Sequence, residues 1–122
     1  MNILDKIIAD KKREIELKKF IISVKQLESS DLFGRRTVSL SESVKTSSGI
    51  IAEHKRKSPS KATINSSFSV EEVVRGYEKA GASGISVLTD SKYFGGSLED
   101  LQLARASVQT PLLRKEFVMD EF

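Results

Sequence analysis

Three ionisable side chains stand where a buried strand would normally keep apolar ones. The stretch IIAEHKRKSPSK, residues 50–61, begins as an apolar strand and ends as a basic loop broken by Pro59, yet it sets Glu53 and Lys55 within the strand. Successive strand side chains point to opposite faces, so Ile51, Glu53 and Lys55 share one face while Ile50, Ala52 and His54 share the other. The same alternation in PLLRKEF, residues 111–117, puts Lys115 with Leu113 and Phe117 on one face. One carboxylate and two ammonium groups can move protons and hold an anionic substrate. From spacing alone, however, a Glu and a Lys two residues apart form a simple ion pair more often than a catalytic one.

Composition limits what else could do chemistry. The chain has no Cys and one His, which excludes disulfides, thiol nucleophiles and thiolate or multi-histidine metal sites. Any catalysis falls to Lys, Glu, Asp, Ser or Arg. At 122 residues, 39% hydrophobic and 30% charged, the chain has the balance of one globular domain rather than of a disordered or membrane protein. Its apolar runs are far shorter than the ~20 residues that cross a bilayer, and its N-terminus reads as a charged helix without a signal-peptide apolar core, so a cytoplasmic protein without membrane contact is expected.

A net charge of +3 suits an anionic partner, but the excess is too small to choose among nucleic acid, a membrane surface and a small phosphorylated or carboxylated substrate. Its distribution says more. KKREIELKK at 11–19 reads as a solvated helix face, whereas KRKSPSK at 55–61 is a denser cluster beside a strand end. Nucleic acid is not the expected partner, because these basic residues are not interleaved with aromatics that could stack on bases.

The elements that must position these residues can be read from caps and periodicity. Residues 2–19 predict a helix with Ile3, Leu4, Ile7, Ile8 and Ile15 on a narrow apolar stripe. A polar stretch at 28–31 and a turn at Gly34 follow, and Ser39 with Glu42 caps a short second helix carrying Leu40 and Val44. From Gly49 the pattern becomes strand, loop, capped helix. Ile50–Lys55 is the first strand, Ser69 and Glu72 cap a helix with Val70, Val73, Val74 and Tyr77 that stops at Gly81, and residues 85–89 form the second strand. Ser97 and Asp100 open a helix with Leu98, Leu101 and Ala104, and Pro111 introduces a third strand through Phe117. Residues 1–48 are thus an N-terminal helical extension and 49–122 a β-α-β-α-β segment.

Strands alternating with single helices predict parallel pairing. A Rossmann-like sheet and a (β/α) barrel both fit; no G-x-G-x-x-G follows the first strand, and charged residues at strand C-terminal ends favour the barrel, whose active sites gather at that face.

IIAEHKRKSPSK, GYEKAGASGISVLTDSKYFGGSLEDL and PLLRKEF, followed by VMDEF, resemble in order and spacing the opening barrel segments of the indole-3-glycerol phosphate synthase family of tryptophan biosynthesis. The likeness is strong over 49–122 and weaker over the first 48 residues, where that family carries extra helices. The resemblance implies a partial TIM barrel, in the class of a cofactor-free carbon–carbon lyase with no metal. Its substrate would be 1-(2-carboxyphenylamino)-1-deoxyribulose 5-phosphate. It implies Lys115 as general acid, Lys55 on the substrate's anionic groups and Glu53 beside it. It further implies Ser58 and Ser60 in a loop next to the substrate and Phe94 and Phe117 as a wall for the anthranilate ring.

Without the family, Phe94 and Phe117 read equally well as core aromatics, and Ser58 more simply as the start of a turn before Pro59. His54 replaces an apolar residue on the helix-facing side and reads as a peripheral or packing residue. An eight-stranded barrel needs about 250 residues, so the chain is expected to be a truncated segment, inactive alone. Later groups, namely a general-base glutamate, asparagine and arginine contacts and phosphate loops, would come from a complementing C-terminal half, or the open sheet would form a homo-oligomer. The alternatives are a fragment of another phosphate-binding barrel and a non-catalytic interaction module.

Overall fold

A computed structural model describes residues 2–122 and contains five helices and three strands among them. The elements are α1 (Ile3–Ile21), α2 (Val24–Glu28), α3 (Leu40–Thr46), β1 (Ile51–His54), α4 (Val70–Lys79), β2 (Gly84–Leu88), α5 (Leu98–Ser107) and β3 (Leu112–Lys115). The described residues fall into two compact units, one reaching to Arg36 together with Phe117–Phe122, the other Thr37–Glu116. No described helix is long and apolar enough to cross a membrane.

In the first unit, Asn2 caps α1 by accepting a hydrogen bond from the Asp5 amide at 2.9 Å, and Ile7 is buried. Three helices precede the first strand, not two. The additional one is α2, where the Ser23 hydroxyl accepts from the Gln26 amide (3.1 Å) and the Gln26 side chain accepts from the Ser23 amide (2.7 Å). This reciprocal capping box satisfies two otherwise orphaned backbone donors, enough to hold a helix of five residues whose apolar pattern is too short to read. Lys19 and Asp120 form an ion pair at 2.6 Å that ties the two segments of this unit together.

The second unit is a parallel sheet in the order β1-β2-β3. Register pairs Ala52 with Ile85 and Ile85 with Leu112, and His54 with Val87 and Val87 with Arg114, so these residues share one face. That face is covered by α4 and α5: Ile85 and Val87 pack with Val70 and Val74 of α4, Ala104 of α5 and Val108, with Tyr77, Leu101 and Leu112 at the margin. Each fully buried Val or Ile here contributes about 1.5–3 kcal/mol, which makes this layer the main source of stability.

Both helices start where the sequence signals it. The hydroxyls of Ser69 and Ser97 accept from the amides of Glu72 (3.2 Å) and Asp100 (3.0 Å). At the end of α4, Gly81 adopts φ +92°, and the amides of Gly81 and Ala82 donate to the carbonyls of Glu78 and Tyr77, two bonds that satisfy the last carbonyls only if a residue without Cβ takes the left-handed turn.

The opposite face carries Ile51 beside Gly84, then Glu53, Ser86 and Leu113 in one row. Its N-terminal end is covered by α3: a Cβ at Gly84 would lie 2.2 Å from Leu40 Cδ1, so glycine lets the Leu40 side chain pack here without shifting. Ile51 remains 46% exposed. A three-stranded parallel sheet with its crossover helices α4 and α5 on one face is the opening of a (β/α) barrel, as expected.

The third strand ends at Lys115, two residues earlier than predicted. Strand alternation therefore does not carry Phe117 to the face of Leu113 and Lys115; half-buried Phe117 belongs to the first unit.

Candidate active site

The C-terminal ends of the three strands gather most of the residues singled out from sequence. Glu53, near the end of β1, is held from three directions. Its Oε2 accepts from Ser86 Oγ on β2 at 3.0 Å, its Oε1 lies 3.2 Å from Lys55 Nζ, and its backbone carbonyl accepts from the Tyr77 hydroxyl of α4 at 2.8 Å. The carboxylate is thereby aimed along the inner face while its main chain is pinned to the helix layer. Lys55 and Glu53 remain about one-third exposed, open to a solute.

Lys55 Nζ also sits 5.9 Å from the centre of the Phe94 ring. That distance is within cation–π range, so the ammonium is held between a carboxylate and a π face. Phe94 is delivered by the tight loop after β2. The buried Asp90 carboxylate accepts the amides of Tyr93 (2.6 Å) and Phe94 (3.1 Å), and the Gly96 amide donates to the Asp90 carbonyl at 2.7 Å. Gly96 passes so close to β2 that a Cβ would lie 1.9 Å from the Leu88 carbonyl oxygen.

Lys115 ends β3 in register with Leu88, with β2 between it and the Lys55 position; its side chain is exposed and its carbonyl accepts from the Thr89 amide at 3.1 Å. Lys55, Glu53, Phe94 and Lys115 thus lie at one end of one sheet. Ser58 and Ser60 form the turn that the plainer reading expected: the backbones of Ser58 and Lys61 exchange hydrogen bonds at 2.9 and 3.1 Å around Pro59, and the two hydroxyls are 3.4 Å apart. Both hydroxyls stay on or near the surface of that loop.

Arg56 and Asp100 were not singled out, yet they connect the two loops. The Arg56 guanidinium forms a two-pronged ion pair with Asp100 in the first turn of α5, one arm at 3.0 Å, and donates to the Gly95 carbonyl at 3.1 Å. Asp100 is 7% exposed. Its hydrogen bonds raise the Arg56 pKa above the ordinary value, so the guanidinium stays charged. The only signal in the sequence was Arg56's place in KRK and Asp100's place as a cap residue, and neither names a partner 44 positions away.

Of the two readings of His54, peripheral or packing, its burial bears out packing. Its imidazole is 2% exposed, and neither ring nitrogen has a hydrogen-bond partner among the described residues. Burial, and secondarily the Arg56 charge, lower its pKa, against a smaller opposing effect of Asp100.

A parallel β/α sheet that collects a carboxylate, lysines and an aromatic ring at its strand C-termini belongs to the class of barrel enzymes that build their sites at that face. The comparisons specify the class further. A family model described as indole-3-glycerol phosphate synthase matches residues 4–122. An indole-3-glycerol phosphate synthase of Bacteroides thetaiotaomicron is 47% identical over 126 residues, covering 99% of this chain and 47% of the relative. Those of Leptospira interrogans and Bacillus cereus are 42% and 45% identical over 120 residues, each covering 98% of this chain and 44% of the relative. The chain belongs to the indole-3-glycerol phosphate synthase family and corresponds to an N-terminal portion of such a synthase. It spans about half the length of the curated relatives it matches.

Proposed function

We propose that this chain supplies the first catalytic groups for converting 1-(2-carboxyphenylamino)-1-deoxyribulose 5-phosphate to indole-3-glycerol phosphate, a lyase step of tryptophan biosynthesis. The ring carbon bearing the carboxylate attacks the ribulose carbonyl carbon while Lys115 protonates the carbonyl oxygen. The bond to the carboxylate then breaks, releasing carbon dioxide and restoring the aromatic ring, and loss of the new hydroxyl as water completes the indole. Lys55 holds the substrate's anionic groups, Glu53 orients Lys55 and assists the dehydration, and Ser58 and Ser60 border the substrate. Phe94 flanks the anthranilate ring. No cofactor takes part, since the substrate's own ring supplies the electron pair. The observation that carries the reading is the Glu53–Lys55 pair set against the Phe94 ring at the strand end. A cytoplasmic setting accords with a small phosphorylated substrate.

The exposed edges of β1 and β3 support a second part of the proposal: the 122-residue chain acts with a further polypeptide, either a complementing C-terminal half or another copy. Alone it is expected to form no product, because phosphate binding and the later proton removal require groups from that partner. The test is an assay of the chain by itself and with a polypeptide carrying the later strands of the Bacteroides relative. Product is expected only from the mixture, and Lys115→Met and Lys55→Met are each expected to cut its kcat/KM by about 100-fold or more. A loss of only a few-fold in the mixture would remove both lysines from the chemistry, and turnover by the chain alone would overturn its dependence on a partner. Sedimentation equilibrium at micromolar concentration is expected to show a dimer or larger species; a folded monomer would eliminate self-association.

A further inference from the structure

The Arg56 clamp and the buried imidazole beside it belong to no step of the proposed reaction. His54 lies on the helix-covered face in register with Val87 and Arg114, next to the chain segment that Arg56 ties to Asp100 and Gly95. Both of its ring nitrogens are shut away from solvent and from every described donor and acceptor. A neutral imidazole so placed already costs stability through its unsatisfied nitrogens. A protonated one would add a second N–H without an acceptor and a full charge without a counter-ion.

The charged groups around it decide where relief could come from. Arg56 after β1 repels the imidazolium, and Asp100 on α5 attracts it but is already engaged by Arg56. From α4, Glu71 acts on Arg56, and the Tyr77 hydroxyl is committed to the Glu53 carbonyl. On β3, Arg114 shares the register row and donates to Thr89. Glu53 and Lys55 point to the opposite face and pair with one another. Among the described residues Asp100 is the carboxylate whose charge favours a protonated His54, and any movement toward the imidazole pulls against its pair with Arg56.

We propose that His54 is an acid-sensitive latch: its protonation draws Asp100 away from Arg56 and frees the loop that follows Lys55 from the loop that carries Phe94. Above the latch point the clamp is closed, with Lys55 held over the Phe94 ring; below it the two loops part while the β2–α4–α5 core stays folded. The inference does not depend on which reaction the site performs. Its sign follows from linkage. The folded pKa lies below the unfolded value of about 6.5, so the unfolded chain binds more protons, and stability present above that value is lost as pH falls through the folded pKa.

His54 is the only histidine, so one ring resonance reports it without assignment ambiguity. The experiment titrates the 122-residue chain from pH 8 to 5 by NMR, following that resonance together with the backbone amides of Gly95, Gly96 and residues 56–65. Expected are a midpoint below that of free imidazole, amide shifts at the loop residues that track it, and unchanged amides in β2. The melting temperature is expected to fall by several degrees over the same range, and His54→Val to abolish both changes. A free-imidazole midpoint, loop amides that ignore the titration, or an acid loss retained in His54→Val would each overturn the latch. Should His54→Val fail to fold, the wild-type titration decides alone, since the loop amides either follow His54 or do not.

Discussion

The two ends of the three-stranded sheet are built from different chemistry. At the C-terminal end, Glu53, Lys55, Arg56 and Asp100 pair as charges, three of them about one-third exposed, around an aromatic ring. At the N-terminal end the bonds are nearly all neutral and local to the backbone. The buried Ser83 hydroxyl lies 2.6 Å from Ser47 Oγ and 3.2 Å from Ser48 Oγ and accepts from the Gly49 amide at 2.7 Å, while Ser43 donates to the Ser83 carbonyl at 2.6 Å. Leu40 closes the same end over Gly84. Short hydroxyls satisfy buried backbone groups without the desolvation cost of a charge, so this end serves as a seam holding α3 to the sheet. The charged end accepts that cost and keeps its groups partly wet, as a site for an anion requires.

The largest test of this contrast is Gly96→Ala. The new Cβ would collide with backbone, the Leu88 carbonyl, which no rotamer change can relieve. A loss of about 3 kcal/mol or more is expected from forcing that close approach apart, read by denaturant unfolding, together with displacement of Phe94 from Lys55. A near-neutral result would mean that the loop carrying Phe94 is not anchored to β2.

Ser83→Ala probes the opposite end. It strips the Gly49 amide and two hydroxyls of a buried partner, at an expected cost of about 1–3 kcal/mol, measured by the same unfolding experiment. Amide shifts near Lys55 and Phe94 should stay unchanged. Propagation of the effect to the charged end would show that the two ends are not independent.

The smallest effect comes from a carboxylate at the neutral end. Glu78, in the last turn of α4, accepts from the Thr110 hydroxyl (2.6 Å) and from the amides of Thr110 and Gln109 (2.9 and 2.8 Å), just before β3. These bonds, the Thr110 hydroxyl foremost, hold its pKa below the ordinary glutamate value. Stability from this depressed group is present above the unfolded pKa and lost as pH falls through the lower folded one. Glu78→Gln should therefore flatten the acid limb below about pH 4.5. The group is only half-buried, so solvent screens it and the change should be only a few tenths of a kcal/mol. The His54 latch acts at higher pH, starting near 6.5, so the two acid responses separate by window.

Much of the framework follows from residues a few positions apart. Ser39, Ser69 and Ser97 each cap the helix predicted from them, Gly81 ends α4 in the left-handed conformation, and strand alternation puts Glu53 on the inner face with His54 opposite. Such signals are legible because caps, turns and pleats are satisfied within one turn or one pleat of chain. Even so, the Ser23–Gln26 capping box passed unread, since a five-residue helix offers no apolar period.

What only the tertiary structure decided are the pairings across long separations and the exact places where elements stop. Arg56 finds Asp100 across 44 residues, Ser83 gathers hydroxyls from 35 and 36 residues away, and Lys55 meets Phe94 rather than open solvent. The end of β3 at Lys115 removes Phe117 from the face that alternation assigned it. Spacing along the chain fixes which face a side chain takes, but its partner is set by the register of strands and the docking of helices. Those depend on burying the Ile85–Val87 layer as a whole, a property no single stretch of sequence contains.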